Sequence, residues 1–203
     1  MTRASKNSAA AAIPKREWAT RLWPFLGIFA ALAATAILLR LEGRLWLCAC
    51  DRFMIWSGNT CSSDNSQHLL DPYSFTHLLH GFLFFWLIAW LGRRLNSNWQ
   101  LTLAVAIESL WEVFENTNFI IDRYRSQTAA LGYTGDTVVN SFGDILCCLV
   151  GFMIARRLGL RRSLIAFAVL ELVLILWIRD SLLLEIVMLI VPVDAIKAMQ
   201  LCR

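Results

Sequence analysis

IESLWEVFEN, residues Ile107 to Asn116, sets Glu108, Glu112 and Glu115 at helical spacing inside an otherwise apolar segment of membrane length. In water such carboxylates form a solvated stripe. In a bilayer they are costly, so they face a bundle interior and mark a site. The rest of the chain decides between these settings. Its 203 residues are 58% hydrophobic and 17% charged, with a mean hydropathy of +0.56. That is far too little charge to cover a soluble domain of this size. Nine Trp and twelve Phe suit helix ends lying at the headgroup level. The fold class expected is all-α, a polytopic transmembrane helix bundle.

The apolar runs place five spans at about 22–39, 72–91, 99–121, 137–154 and 163–178, each long enough to cross or nearly cross the hydrocarbon. Residues 182–193 are too short for a span and read as an interfacial or re-entrant helix. Residues 1–20 are small, polar and basic, and read as a disordered cytoplasmic tail. The first span has a basic start and an Ala31-Leu32-Ala33 run, like a cleavable signal. The apolar run continues past that point, so an uncleaved anchor is the better reading. A net charge of +4 points to no nucleic acid, because Lys and Arg sit in short clusters between apolar runs rather than in one stripe. Eleven Lys and Arg fall on the amino-terminal side of this topology and eight on the other. The positive-inside rule then predicts a cytoplasmic amino terminus with residues 40–71 outside.

Cys48, Cys50 and Cys61 share that outer loop, where disulfides persist. Cys48 and Cys50, with a single residue between them, are poorly placed to bridge each other, so Cys61 is expected to pair with one of them. Cys147 and Cys148 read as packing residues in the fourth span.

The topology also brings polar residues to one depth. His77 and His80 lie one turn apart at the outer end of span two. At about 1.5 Å per residue, Glu115 falls about 9 Å and Glu112 about 13 Å below a span end at Ile121. Asp136, Asn140 and Asp144 follow at i, i+4 and i+8, with Asp144 about 10 Å deep. Asp136 alone also reads as a helix N-cap, and Asn140 and Ser141 as interhelical hydrogen-bond partners. Glu108, the deepest, reads as structural. Taken together, His80, Glu112, Glu115 and Asp144 are the candidate catalytic groups. His77, His80, Glu112, Glu115 and Asp144 form a candidate divalent-metal set, as in carboxylate sites inside helix bundles. Arg123, Tyr124, Arg125 and Asn140 are candidate substrate contacts, since interfacial arginines grip phosphate headgroups. The same groups without metal support proton relay or acid–base hydrolysis. Membrane lipids are the expected partners. A transporter or an assembly scaffold is the alternative to an enzyme or lipid binder.

The stretches SQHLLDPYSFTHLLHG (66–81), ESLWEVFEN (108–116), IIDRYR (120–125) and GYTGDTVVNSFGD (132–144) resemble an uncharacterised family of bacterial multi-pass inner-membrane proteins. The likeness covers about Leu41 to Gln200 and implies localisation, not a reaction. The order of His-Gly, Glu-rich helix and Gly-Asp…Asp is more loosely similar to VanZ-like envelope proteins. Asp122 and Asp144 are similar to the paired aspartates of lipoprotein signal peptidases, but the histidines and glutamates here are foreign to that pattern.

Overall fold

The computed structural model describes residues 15–127 and 132–201. Among them are seven helices: α1 (Lys15–Leu41), α2 (Ser74–Leu91), α3 (Ser97–Glu115), α4 (Asn118–Gln127), α5 (Val138–Ile178), α6 (Leu182–Ile190) and α7 (Asp194–Gln200). Helices α1 (over Leu22–Leu41), α2 and α5 are long and apolar enough to cross a membrane. The all-α class is as the composition requires. Residues 1–14 of the expected tail lie outside the described residues, and α1 already begins at Lys15.

The fourth and fifth apolar runs join into α5, which turns at Gly159. That residue has φ 71°, a conformation glycine adopts without steric penalty. The limb before it runs parallel to α2: Ser74 bonds Asp144, and Phe85 packs on Phe152. The limb after it returns along α2, with Trp86 donating to Ser163 and Phe75 packing on Trp177. The main core fills this three-stranded packing with Leu79, Phe82, Ala155, Phe167 and Leu174. α3 runs antiparallel to α2, and its Thr102 hydroxyl donates to the Pro24 carbonyl of α1.

One helix boundary departs from expectation. The apolar pattern carries on to Ile121, yet α3 ends at Glu115. Asn116 ends it by turning its side chain back to the Glu112 carbonyl and across to Asp136. Thr117 then starts α4. Glu115 therefore lies in the last turn of a helix rather than well below its end.

Residues 42–73 lie over the start of α5. The Thr137, Val138 and Val139 amides donate to the carbonyls of Ser66, Leu45 and Trp46. Donors that a helix cannot satisfy internally thus find partners in the loop. Thr137, not Asp136, is the N-cap, accepting from the Asn140 amide. The cysteine expectation is corrected too. Cys48 and Cys50 bond to each other, their Cα atoms 5.1 Å apart and so within ordinary disulfide reach. Cys61 is the partner of neither.

Candidate functional site

The start of α2, the last turns of α3 and the start of α5 meet at one end of the bundle. His77 Nδ1 donates to Glu108 Oε1 at 2.7 Å, and His80 Nδ1 faces both Glu108 oxygens at 3.1 Å. Glu108, read from depth as structural, is the centre of the cluster. Because α2 and α3 are antiparallel, the histidine one turn deeper meets the glutamate one turn deeper. His80 is further held by Phe84, stacked at 5.8 Å, and by the edge-on Trp111 at 5.6 Å.

Glu112 Oε1 lies 3.2 Å from the same His77 Nδ1. That nitrogen carries one proton at most, and the shorter contact gives it to Glu108. Neither oxygen of Glu112 has a hydrogen-bond partner, although the residue is 0% exposed. On the other side of the ring, His77 Nε2 is 4.0 Å from Asp144 Oδ2. Asp144 is 4% exposed and is fixed by the Ser74 hydroxyl at 2.6 Å. Ser74 in turn accepts from the Asp71 amide. Asp71 is anchored by the Ser66 and Tyr73 amides, and burial raises its pKa. Three buried carboxylates thus share two imidazoles, and no Lys or Arg among the described residues pairs with them. Donor atoms of His77, His80 and Glu108, and separately of His77, Glu112 and Asp144, gather within 4.8 Å of one another. These are donor types that a divalent transition metal accepts.

A cavity of about 1100 Å³ opens above this cluster. Its floor is Leu83, Phe84, Ile107 and Trp111, and its middle is His77, His80 and Asp144. Its upper wall comes from α4, the turn before α5, and α6. Tyr124 lines this wall with its hydroxyl on Glu115. The Tyr133 hydroxyl donates to Asp136, which Asn116 also grips. Burial raises the Asp136 pKa.

Of the residues singled out in the sequence, His77, His80, Glu112 and Asp144 come together. Glu115 lines the cavity one turn further out, apart from the donor clusters. Arg123 turns away, its guanidinium donating to the Leu189 and Ile190 carbonyls at the end of α6. Arg125 is exposed. Asn140 is buried and positions the loop, donating to the His68 carbonyl and towards Asp71. Asp122 is exposed on α4, so no Asp122–Asp144 pair of the signal-peptidase kind forms.

Asp180, between α5 and α6, also lines the cavity, and burial pushes its carboxyl from the ordinary 3.8 up to about 6. A raised pKa means the folded state holds the proton more tightly. The associated stability is present below about pH 4 and is lost as pH rises through about 6. Asp180→Asn should therefore raise the thermal unfolding midpoint in detergent at pH 7.5 by several degrees, roughly 1–3 kcal/mol, with little change at pH 4. An equal shift at both pH values would refute this linkage.

Comparison with known proteins places the chain in a family. A family model described as a protein of unknown function, DUF2585, matches residues 39–202. The chain belongs to the DUF2585 family. It is 44% identical to the UPF0314 protein R03235 of Rhizobium meliloti over 179 residues, covering 88% of this chain and 90% of the relative. The UPF0314 protein of Brucella anthropi is 39% identical, covering 85% and 88% of the two chains. That of Sinorhizobium fredii is 41% identical, covering 95% and 97%. No solved structure matches. Together with its apolar helices, these bacterial relatives make this a bacterial membrane protein.

Proposed function

We propose that this DUF2585 protein is a five-span inner-membrane protein with an outward-facing divalent-metal centre, acting on the head of an envelope amphiphile. The observation that carries the reading is Glu112. It is a fully buried carboxylate with no hydrogen-bond donor, set against a histidine whose proton already serves Glu108. Burying an unpaired carboxylate is costly, and a bound cation or a proton relieves it. The second and third carboxylates around the same imidazole favour the cation, which offsets several charges at once. His77, His80, Glu108, Glu112 and Asp144 would hold such an ion. When bound, it would polarise a substrate oxygen or lower the pKa of a coordinated water. Ser74 and Asp71 orient Asp144, and the aromatic box around His80 fixes that ring.

The cavity supports an amphiphile as the ligand. Leu110 and Phe114 of α3 and Ile186 of α6 line it and are also exposed on the outer surface of the bundle. A tail could enter between these helices from the lipid side. The carrier alternative draws no support, since α2, α3 and α5 close below the floor around Ile88, Ala104 and Phe152.

Elemental analysis of protein purified in mild detergent tests the metal. We expect close to one equivalent of a divalent transition ion, lost in His80→Ala at unchanged elution on size exclusion. Metal-free protein that cannot be loaded by added zinc, manganese or iron would overturn the metal reading.

A further inference from the structure

The upper wall of the cavity has a composition that the metal centre does not explain. Four carboxylates, Glu115, Asp136, Asp180 and Glu185, line it, and among the described lining residues there is no Lys or Arg. All three tyrosines of the chain are there as well. Each hydroxyl is tied to one of these carboxylates: Tyr73 to Asp180 at 3.5 Å, Tyr133 to Asp136 at 3.0 Å, and Tyr124 to Glu115. The rings of Tyr124 and Tyr133 meet edge to face, 5.8 Å apart at 84°, and form a corner. Glu115 Oε2 is sealed from solvent with no hydrogen-bond partner. The cations at its edge are engaged elsewhere: Arg123 donates to the Leu189 and Ile190 carbonyls of α6, and Arg44 to the Glu42 and Thr134 carbonyls.

A phosphate, sulfate or carboxylate entering this level would face four carboxylates and, among the described lining residues, no Lys or Arg. An uncharged head could offer Glu115 at most a hydrogen bond and would leave the charge of the four carboxylates uncompensated. A cation held between perpendicular aromatic rings and flanking carboxylates is stabilised by ring quadrupoles and by charge together. The apolar floor and the exposed rim at Leu110, Phe114 and Ile186 suit the chain of an amphiphile. We infer that the upper cavity recognises the ammonium head of a long-chain amphiphile, with its alkyl chain leaving between α3 and α6. This deepens the proposed function by naming a substrate class, and it rests on that reading only in using the same cavity.

The test uses full-length protein in a maltoside detergent, with submicellar dodecyltrimethylammonium, dodecyl sulfate or dodecanol as probe and the thermal unfolding midpoint as readout. We expect a saturable rise with the ammonium probe alone, and its reversal by water-soluble phenyltrimethylammonium in competition. Glu185→Gln should weaken the apparent affinity at least tenfold. Tyr133→Phe should keep most of it and Tyr133→Leu should lose it, because the phenyl ring retains the cation–π face. Equal responses to the ammonium and sulfate probes, or unchanged affinity in Glu185→Gln, would overturn the inference; the first comparison needs no variant. The titration is repeated in EDTA and alongside elemental analysis. Selective ammonium binding by protein that takes up no metal would sink the metal reading alone. Stoichiometric metal with no head selectivity would sink this inference alone.

Discussion

Gly151→Val should leave no folded protein to recover from the membrane. A Cβ at Gly151 would lie 1.9 Å from the Leu78 carbonyl oxygen and 2.9 Å from its carbon. Both are backbone atoms of α2, so no rotamer change relieves the clash. The same parallel contact continues at Gly81, where a Cβ would meet the Cys148 carbonyl at 2.1 Å, and the loop before α2 approaches as closely at Gly143, where a Cβ would meet the Leu69 carbonyl at 1.8 Å. Small residues at helix crossings let backbones approach and allow dispersion to hold helices together where the hydrophobic effect cannot. Separating α2 from the first limb of α5 would also part Ser74 from Asp144, so the site would fall with the packing. We expect a loss exceeding the 1–3 kcal/mol typical of overpacking, seen as aggregated material on detergent size exclusion. Gly132→Ala is the control. Nothing lies within 4 Å of its would-be Cβ, so it should elute like the parent. A monodisperse Gly151→Val protein would show that this contact is not what sets the fold.

How far the sequence discloses this arrangement depends on range. Hydropathy and charge clusters are local, and they place α1, α2 and both limbs of α5 within a few residues. The polar residues at i, i+3 and i, i+4 mark which helix faces turn inward. Pairing is harder to read. Ranking glutamates by depth below Ile121 assumed an unbroken helix, whereas Asn116 stops α3 through partners on other elements, Asp136 among them. With the end of α3 moved to Glu115, every glutamate lies about six residues nearer the helix end. Glu108 then falls level with His80. The antiparallel register alone signals this, since His77 and His80 step inwards as Glu112 and Glu108 do. The roles of Ser74, Asp71 and Asn116 carry no comparable signal. They act through hydrogen bonds between distant segments, as does the α6 end that captures Arg123. The Cys48–Cys50 bond lay outside expectation because spacing alone does not give the local turn that brings the two Cα atoms within reach.

Glu112→Gln should reverse its effect on stability according to whether metal is present. Without metal, the Glu112 carboxylate faces Glu108 and Asp144 around one imidazole and has no donor of its own. Removing its charge relieves repulsion in a low-dielectric setting, and the new amide can donate to a neighbouring carboxylate. In EDTA the variant should therefore unfold at a higher temperature than the parent. With metal, the parent gains RT ln(1 + [L]/Kd) from binding, about 4 kcal/mol at a thousandfold excess over Kd. The variant loses an anionic ligand and most of that gain. The two midpoints should thus cross between EDTA and metal-saturated buffer, with the parent responding by many degrees and Glu112→Gln by few. His77→Ala removes a donor shared by all three carboxylates and should lie below the parent in both buffers. If Glu112 were instead a packing residue, Glu112→Gln would shift the midpoint equally in either buffer, and the crossing would not occur. If it acted only in acid–base chemistry, the parent itself would ignore EDTA. A crossing therefore requires that the buried, donor-less carboxylate is there to hold a cation.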